Sequence, residues 1–401
     1  MIHYETHSVG DSIDKIDRSK KIKKSLYETS GKIPIIDQGG EFIAGWTSSP
    51  EYLFDDIPLT VFGDHTRRLK YLTFPFACGA DGTQLLKAKK DFVQRFFYYA
   101  LCNLKLKNYG YERHFKYLKD EMIPKPSIVI QQKIATILSN YDNLIENNEK
   151  RIKLLEQMAK LIYEEWFVKF KFPGHENVKM IDSKTEFGKI PEGWEVGKLK
   201  KIYSLLPGFA YKSNDFNPDG KFGLIKIRNL DNQFIDIENV DHLNVEKERF
   251  ELVEGDFLIA MTGAQIGKVG LMPKLNDRLF LNQRVGKFVI NNDFLTNNMF
   301  IYLLVKSEDF QKYVNNVSLS SSAQPNISGT LIEEYKMILP NNENLKKFND
   351  LLEPAFFCLL SLRAKNQNLR KTRDFLLPKL ISGEVDVSDL DIKISEEVAN
   401  T

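Results

Sequence analysis

Apolar residues recur along two stretches of this chain at spacings that alternate between four and three. The first stretch runs Ile134, Leu138, Tyr141, Ile145, Asn148, Ile152, Leu155, Ala159, Ile162 and Trp166. About half a chain later Phe348, Leu352, Ala355, Leu359, Leu362, Asn366, Leu369, Arg373, Leu376 and Leu380 repeat it in the same register. Such a seam averages 3.5 residues per turn, the period of helices that wind about one another. A globular-domain helix also has a buried stripe, but two runs this long with matching registers favour a coiled coil. Each seam holds one asparagine, Asn148 or Asn366, which costs stability and fixes register. A proline stands ahead of each helix, Pro126 and Pro340, and Pro354 inside the second is expected to kink it.

The rest of the pattern is also written twice. Asp56-Ile-Pro-Leu-Thr-Val-Phe-Gly63 matches Asp256-Phe-Leu-Ile-Ala-Met-Thr-Gly263, a buried strand running into a glycine turn, with Arg68 or Lys268 following at the same spacing. Phe96 and Tyr98 match Phe300 and Tyr302 within apolar helical segments. Short β-rich runs with few helices fill the remainder. The expected fold is mixed α/β (α+β) with a pseudo-twofold internal repeat: a globular unit over 1–128, a long helix over 129–172, a second unit over 173–340, a second helix over 341–385, and a loose acidic tail over 386–401. Phe172-Pro-Gly-His-Glu-Asn177 reads as the turn that leaves the first helix.

A chain of 401 residues supplies two domains with cores that need no staples. Cys78, Cys102 and Cys358 stand far apart in apolar settings and read as core thiols of a reducing cytosol. The polar amino terminus is no secretory signal and no run is long enough to span a membrane, so a cytoplasmic protein is expected. The net charge of +2 sets 56 basic residues against 54 acidic ones. Over 87–119, however, nine basic residues, Arg95 and Arg113 among them, face only Asp91 and Glu112. That excess suits phosphates or a solvated face equally.

Catalytic signatures are missing from the residues. There is no Gly-rich cofactor loop and no Asn/Asp-Pro-Pro-aromatic motif for methyl transfer. Gly263-Ala-Gln-Ile-Gly-Lys268 is one residue short of a phosphate loop and has Val269 where Ser or Thr is needed. The six histidines are scattered, without metal-ligand spacing. We therefore expect a chain without catalytic residues, metal or cofactor. Its doubled layout suits reading two separated DNA segments, with the helices as a rigid spacer.

Four stretches carry a family resemblance: Ile190-Pro-Glu-Gly-Trp-Glu195, Gln131-Gln-Lys-Ile-Ala135, Ser321-Ser-Ala-Gln-Pro-Asn-Ile-Ser328 and Thr372-Arg-Asp-Phe-Leu-Leu-Pro-Lys-Leu-Ile-Ser-Gly383. In their order and doubled layout they resemble the specificity subunits of type I restriction–modification enzymes over nearly the whole chain. The first unit departs from the pattern, lacking the Pro-Glu-Gly-Trp opening, so its first strand is not legible. The resemblance implies that the units are target-recognition domains on double-stranded DNA and that the helices form an antiparallel coiled coil. It also implies partners that carry the chemistry: two modification subunits that methylate adenine with S-adenosylmethionine, and two restriction subunits that use ATP and Mg to translocate and cut.

Candidates for reading bases are Arg67, Arg68, Lys70, Tyr111, Arg113 and His114 in the first unit. In the second they are Tyr211, Lys212, Arg228, Asn229, Gln265, Lys268 and Gln324. Arginine or lysine pairs with guanine and asparagine or glutamine with adenine, although at least half of protein–DNA hydrogen bonds go to the backbone. Asn282-Gln283-Arg284 is ambiguous between contact and strand support. The reading from another class is a coiled-coil scaffold or regulator outside restriction. A nuclease acting alone is a third.

Overall fold

Strands that are buried on both faces form the centre of each globular region. The computed structural model describes residues 4–16, 20–79, 82–108, 110, 112–231, 234–291, 298–319 and 326–399. The chain divides into two compact units, Met1–Glu146 with Asn368–Thr401, and Asn147–Gln367.

In the first unit the strand Leu59–Gly63 is buried at every residue, as expected of an apolar run covered on both faces. It pairs antiparallel with Leu69–Leu72 and Thr83–Leu86. A second sheet runs Gly45–Thr47, Ile33–Ile36, Phe76–Cys78, Leu53–Phe54, its two middle strands parallel. In the second unit Phe257–Ala260 pairs antiparallel with Val269–Leu271 and Val285–Ile290. The companion sheet runs Asp241–Leu243, Phe222–Ile225, Leu279–Leu281, Glu251–Leu252, again with a parallel middle pair. The two units thus share one pairing scheme. The second adds the strand Tyr203–Pro207 where the first has a single bridge, Ile13 to Ala88.

The repeat read from the sequence shifts in one place. Gly63 lies opposite Thr83 and Ala260 opposite Val285, each at the end of its strand. Gly63 therefore corresponds to Ala260 rather than Gly263, and the extra residues of the second copy lie in the turn 261–268. Arg68 and Lys268 keep their equivalence, each just before the return strand. Phe96 and Phe300 are fully buried in the helices Gln94–Cys102 and Asn298–Val305. The opening strand of the first unit is Glu5–Ser8. It pairs with Met122–Lys125 as Glu195–Lys198 pairs with Lys336–Leu339, and Tyr4 precedes it as Trp194 precedes its counterpart.

The first long helix spans Ile128–Tyr163 and continues as a π-helical turn, Glu164–Val168. The second spans Asn342–Ile381, started by Asn341, whose Oδ1 accepts from the Asn344 backbone N–H at 2.9 Å. Pro354 does not interrupt it: it is exposed, where water can solvate the carbonyl that a proline leaves unpaired. Of the seam residues, Ile134, Leu138 and Ile145 are buried in the first unit, and Tyr141, Leu369 and Leu376 half-buried. In the second unit Asn148, Ile152, Phe348, Leu352, Leu359, Leu362 and Asn366 are buried and Leu155 is half-buried. The helices run antiparallel there, since Asn148 Nδ2 donates to Asn366 Oδ1 at 2.8 Å while Trp166 packs on Phe348 with ring centroids 5.7 Å apart.

The acidic tail is not loose. Val387 and Val398 are fully buried, and Lys133 Nζ donates to the carbonyls of Val387 at 3.2 Å and Ser388 at 2.6 Å. Glu397 pairs with Arg95 at 3.4 Å. The apolar residues set among the acids, with Ile392 and Ile394, close the core of the first unit.

Candidate nucleic-acid interface

In the first unit the loop 37–44, which follows a parallel strand, and the hairpin tip 64–68 are built together. Thr66 Oγ1 donates to the Gln38 carbonyl at 2.6 Å, and Gln38 Oε1 accepts from the His65 N–H at 3.0 Å. Arg67 takes a left-handed backbone (φ 59°) and donates from Nη1 to the Leu106 carbonyl at 3.0 Å. Arg68 is exposed, and its guanidinium lies so close over Gly40 that a Cβ there would sit 2.5 Å from Nη1. Glycine lets the loop pass beneath it.

Several expected base readers have other duties. Lys70 is buried and its ammonium donates to the carbonyls of Asp37 (2.7 Å), Glu41 (2.5 Å) and Phe42 (3.5 Å). Burial holds its pKa below the usual lysine value. His114 is fully buried with Nδ1 3.0 Å from the Asp64 carbonyl. Asn229 is buried, and its amide closes a loop by accepting from the Lys226 N–H (2.9 Å) and donating to the carbonyls of Asp236 and Asn239, both at 3.0 Å. The Tyr211 ring is buried beside Phe209. Arg228 is exposed but paired with Asp241, which also holds Lys226. Burial alone would raise the Asp241 carboxyl; the two cations outweigh it and hold the pKa below the ordinary range.

Arg113 and Lys212 are exposed, and Gln265 and Lys268 half-buried. Tyr111 and Gln324 lie outside the described residues. The basic run over 87–119 is not one stripe either. Arg95 is buried against the Tyr71 ring, 4.2 Å from its centroid, and faces Asp142 and Glu397, while Lys87 pairs with Asp56 at 2.7 Å. Lys89, Lys90, Lys105, Lys107, Lys116 and Lys119 remain on the surface.

In the second unit four segments meet at one end of the sheets. The Asn282 N–H donates to the Ile225 carbonyl (3.1 Å), the Gln283 N–H to Phe209 (2.9 Å), and the Met261 N–H to Arg284 (3.0 Å). Gln283 and Arg284 are exposed on this clamped turn. Sequence reading left them ambiguous, because only the pairing of distant strands brings the four segments together. Among the described residues no group of three or more His, Cys, Asp or Glu side chains is placed to hold a metal ion, and no helix is long and apolar enough to cross a membrane.

The type I restriction modification DNA specificity domain matches residues 1–157 and 191–370. The chain is 30% identical over 283 residues to the type I restriction enzyme MjaVIII specificity subunit of Methanocaldococcus jannaschii, covering 69% of this chain and 64% of that protein. It is 29% identical over 282 residues to the MjaIX specificity subunit of the same organism, covering 68% and 62%. The matches thus take in less than two thirds of the length of these relatives. The crystal structure of the type I restriction–modification system S subunit from M. genitalium shares the fold, with a TM-score of 0.60 at 17% identity, over 95% of this chain and 96% of that one. With the family's domain matched twice over most of its length, the chain belongs to the type I restriction–modification DNA specificity family.

Proposed function

We propose that this chain is the DNA-reading subunit of a type I restriction–modification complex. It has no catalytic centre and binds no cofactor of its own. Each unit reads one part of a bipartite target in double-stranded DNA. Two modification subunits methylate adenine with S-adenosylmethionine, and two restriction subunits carry the ATP- and Mg-dependent translocation and cleavage. The observation that carries this reading is one strand-pairing scheme built twice, with different side chains on the turns at corresponding places. A scaffold that only held proteins together has no need of such differences. Duplex contact falls to turn residues, the exposed Arg68 and Arg113 in the first unit and the exposed Lys212 with the half-buried Lys268 in the second, since base edges and phosphates are reached by side chains that extend from the fold.

The test is to express the chain with its modification subunits and map methylated adenines by single-molecule sequencing. A two-part motif is expected, and replacing 1–128 with the first unit of another subunit should change one part only. A change in both parts, or methylation by the purified chain without partners, would overturn the proposal.

A further inference from the structure

The turn 282–284 is held from three sides, yet its side chains have no assigned task. Its backbone is fixed by the hydrogen bonds from Asn282 to Ile225, Gln283 to Phe209 and Met261 to Arg284, and closed by the Val285 N–H on the Asn282 carbonyl at 2.9 Å. Gly208 crosses it so closely that a Cβ would lie 2.3 Å from the Asn282 carbonyl oxygen, a contact that only glycine allows. Gln283 and Arg284 nonetheless point into solvent, and among the described residues neither side chain has a hydrogen bond or ion pair. Two other exposed arginines of this unit are ion-paired, Arg228 with Asp241 and Arg278 with Glu246 and Glu251. Arg151 and Arg249 are, like Arg284, exposed without an ion pair among the described residues but do not stand on a turn clamped in this way. The segments that clamp the turn also carry buried polar atoms with no hydrogen-bond partner among the described residues, Tyr211 Oη, Thr262 Oγ1 and Gln265 Oε1. Such groups are costly in a folded protein unless water or a bound molecule meets them.

Resting on the DNA-reading function proposed above, we infer that this turn is a base-reading element of the second unit and that Arg284 recognises a guanine. Phosphate contact tolerates a mobile side chain on a mobile loop, because a point charge suffices. Base reading does not. A guanidinium meets guanine O6 and N7 through two parallel hydrogen bonds, so its backbone must be fixed in advance. A turn locked by three neighbouring segments and bearing an unengaged arginine meets that requirement. Gln283 beside it presents an amide able to read an adjacent base.

The experiment uses the chain assembled with its modification subunits. The wild-type methylation motif is determined first, and binding is then titrated on the cognate duplex and on duplexes with each base pair of the second part replaced. Arg284→Ala is expected to weaken cognate binding by roughly 5- to 150-fold and to relax one G·C position in one part of the motif. Arg284→Lys should restore affinity in part without restoring that selectivity. An equal loss on every sequence, with a shallower salt dependence, would make Arg284 a phosphate contact and overturn the inference, as would an unchanged motif. A wild-type complex without any sequence selectivity would overturn the DNA-reading function itself, so the two failures are distinct.

Discussion

Asp142 is the carboxylate on which the first unit's share of the helix pair depends. Its Oδ2 accepts from the Tyr99 hydroxyl at 2.5 Å and faces Arg95 Nη2 at 3.4 Å, while Oδ1 accepts from Arg373 Nη1 at 2.7 Å. The Arg95 side chain is 9% exposed, Asp142 22% and Arg373 28%. Removing one partner of a fully buried ion pair costs about 3–5 kcal/mol, chiefly through the charge left behind. Because water reaches two of these three groups, the lower end applies, and Asp142→Ala should destabilise the first unit by about 3 kcal/mol. With a urea dependence of about 2 kcal/mol/M, the unfolding midpoint falls by roughly 1.5 M. Hydrogen exchange followed by mass spectrometry would place the loss in peptides from Gln94–Cys102 and from the helix end after Asn368. Asp142→Asn keeps an acceptor for Tyr99 but not the charge and should fall between. A loss below about 1 kcal/mol, or one spread evenly over both units, would show that the two arginines are adequately solvated and the reasoning wrong.

Replacing Lys70 by Met keeps the stem but strips three carbonyls of their donor, so the first unit should lose about 1.5–3 kcal/mol and loop 37–44 should exchange faster; unchanged exchange there would dismiss its role as a loop anchor. At the seam, Asn148→Leu with Asn366→Leu removes a buried polar pair and should raise the urea midpoint while allowing slipped pairings, read by disulfide trapping of engineered cysteines. Asp241 has a depressed pKa in the folded chain, so its contribution is present above the ordinary carboxylate value of about 4 and fades as pH falls through the lower folded value. Exchange of loop 226–241 should accelerate below about pH 4, and Asp241→Asn should flatten that dependence. Truncation after Glu384 removes the buried Val387 and Val398 and uncovers the core they close, and should destabilise the first unit by at least about 2 kcal/mol, leaving exchange in the second unchanged.

The two seams were legible because a coiled coil writes its contact in a local period, and the repeat because both copies keep apolar strands in one order. What escaped was set by partners far along the chain. Arg95 reads as one cation in a basic run until Tyr71, Asp142 and Glu397 are seen around it. Lys70 beside Arg67 and Arg68 looks like part of a basic tip, but alternation along the strand turns it inward, where a loop arriving from the other sheet consumes its ammonium. The tail misled for a compositional reason: its acids dominate, and its spaced valines and isoleucines form no helical period. The first strand was hidden because Tyr4 stands where the second unit has Trp194, and only the pairing of Glu5–Ser8 makes them equivalent.

These placements separate stability from reading in a way that pairwise contacts alone would not. The strand scheme and the polar anchors Lys70, Asn229 and His114 lie behind the turns, whereas Arg68 and Arg284 stand on them without an ion pair among the described residues. Substituting an exposed, unengaged side chain usually shifts stability by less than about 0.5 kcal/mol, while loss of a buried anchor shifts it several times more. New turn residues can therefore be tried on either unit with its sheets unchanged, and the lengthened turn 261–268 shows that even its length has varied between the copies. Loss of DNA selectivity at an unchanged unfolding midpoint is the behaviour expected of a reader. Loss of both together, as expected for Lys70→Met, marks a residue that holds the reader in place.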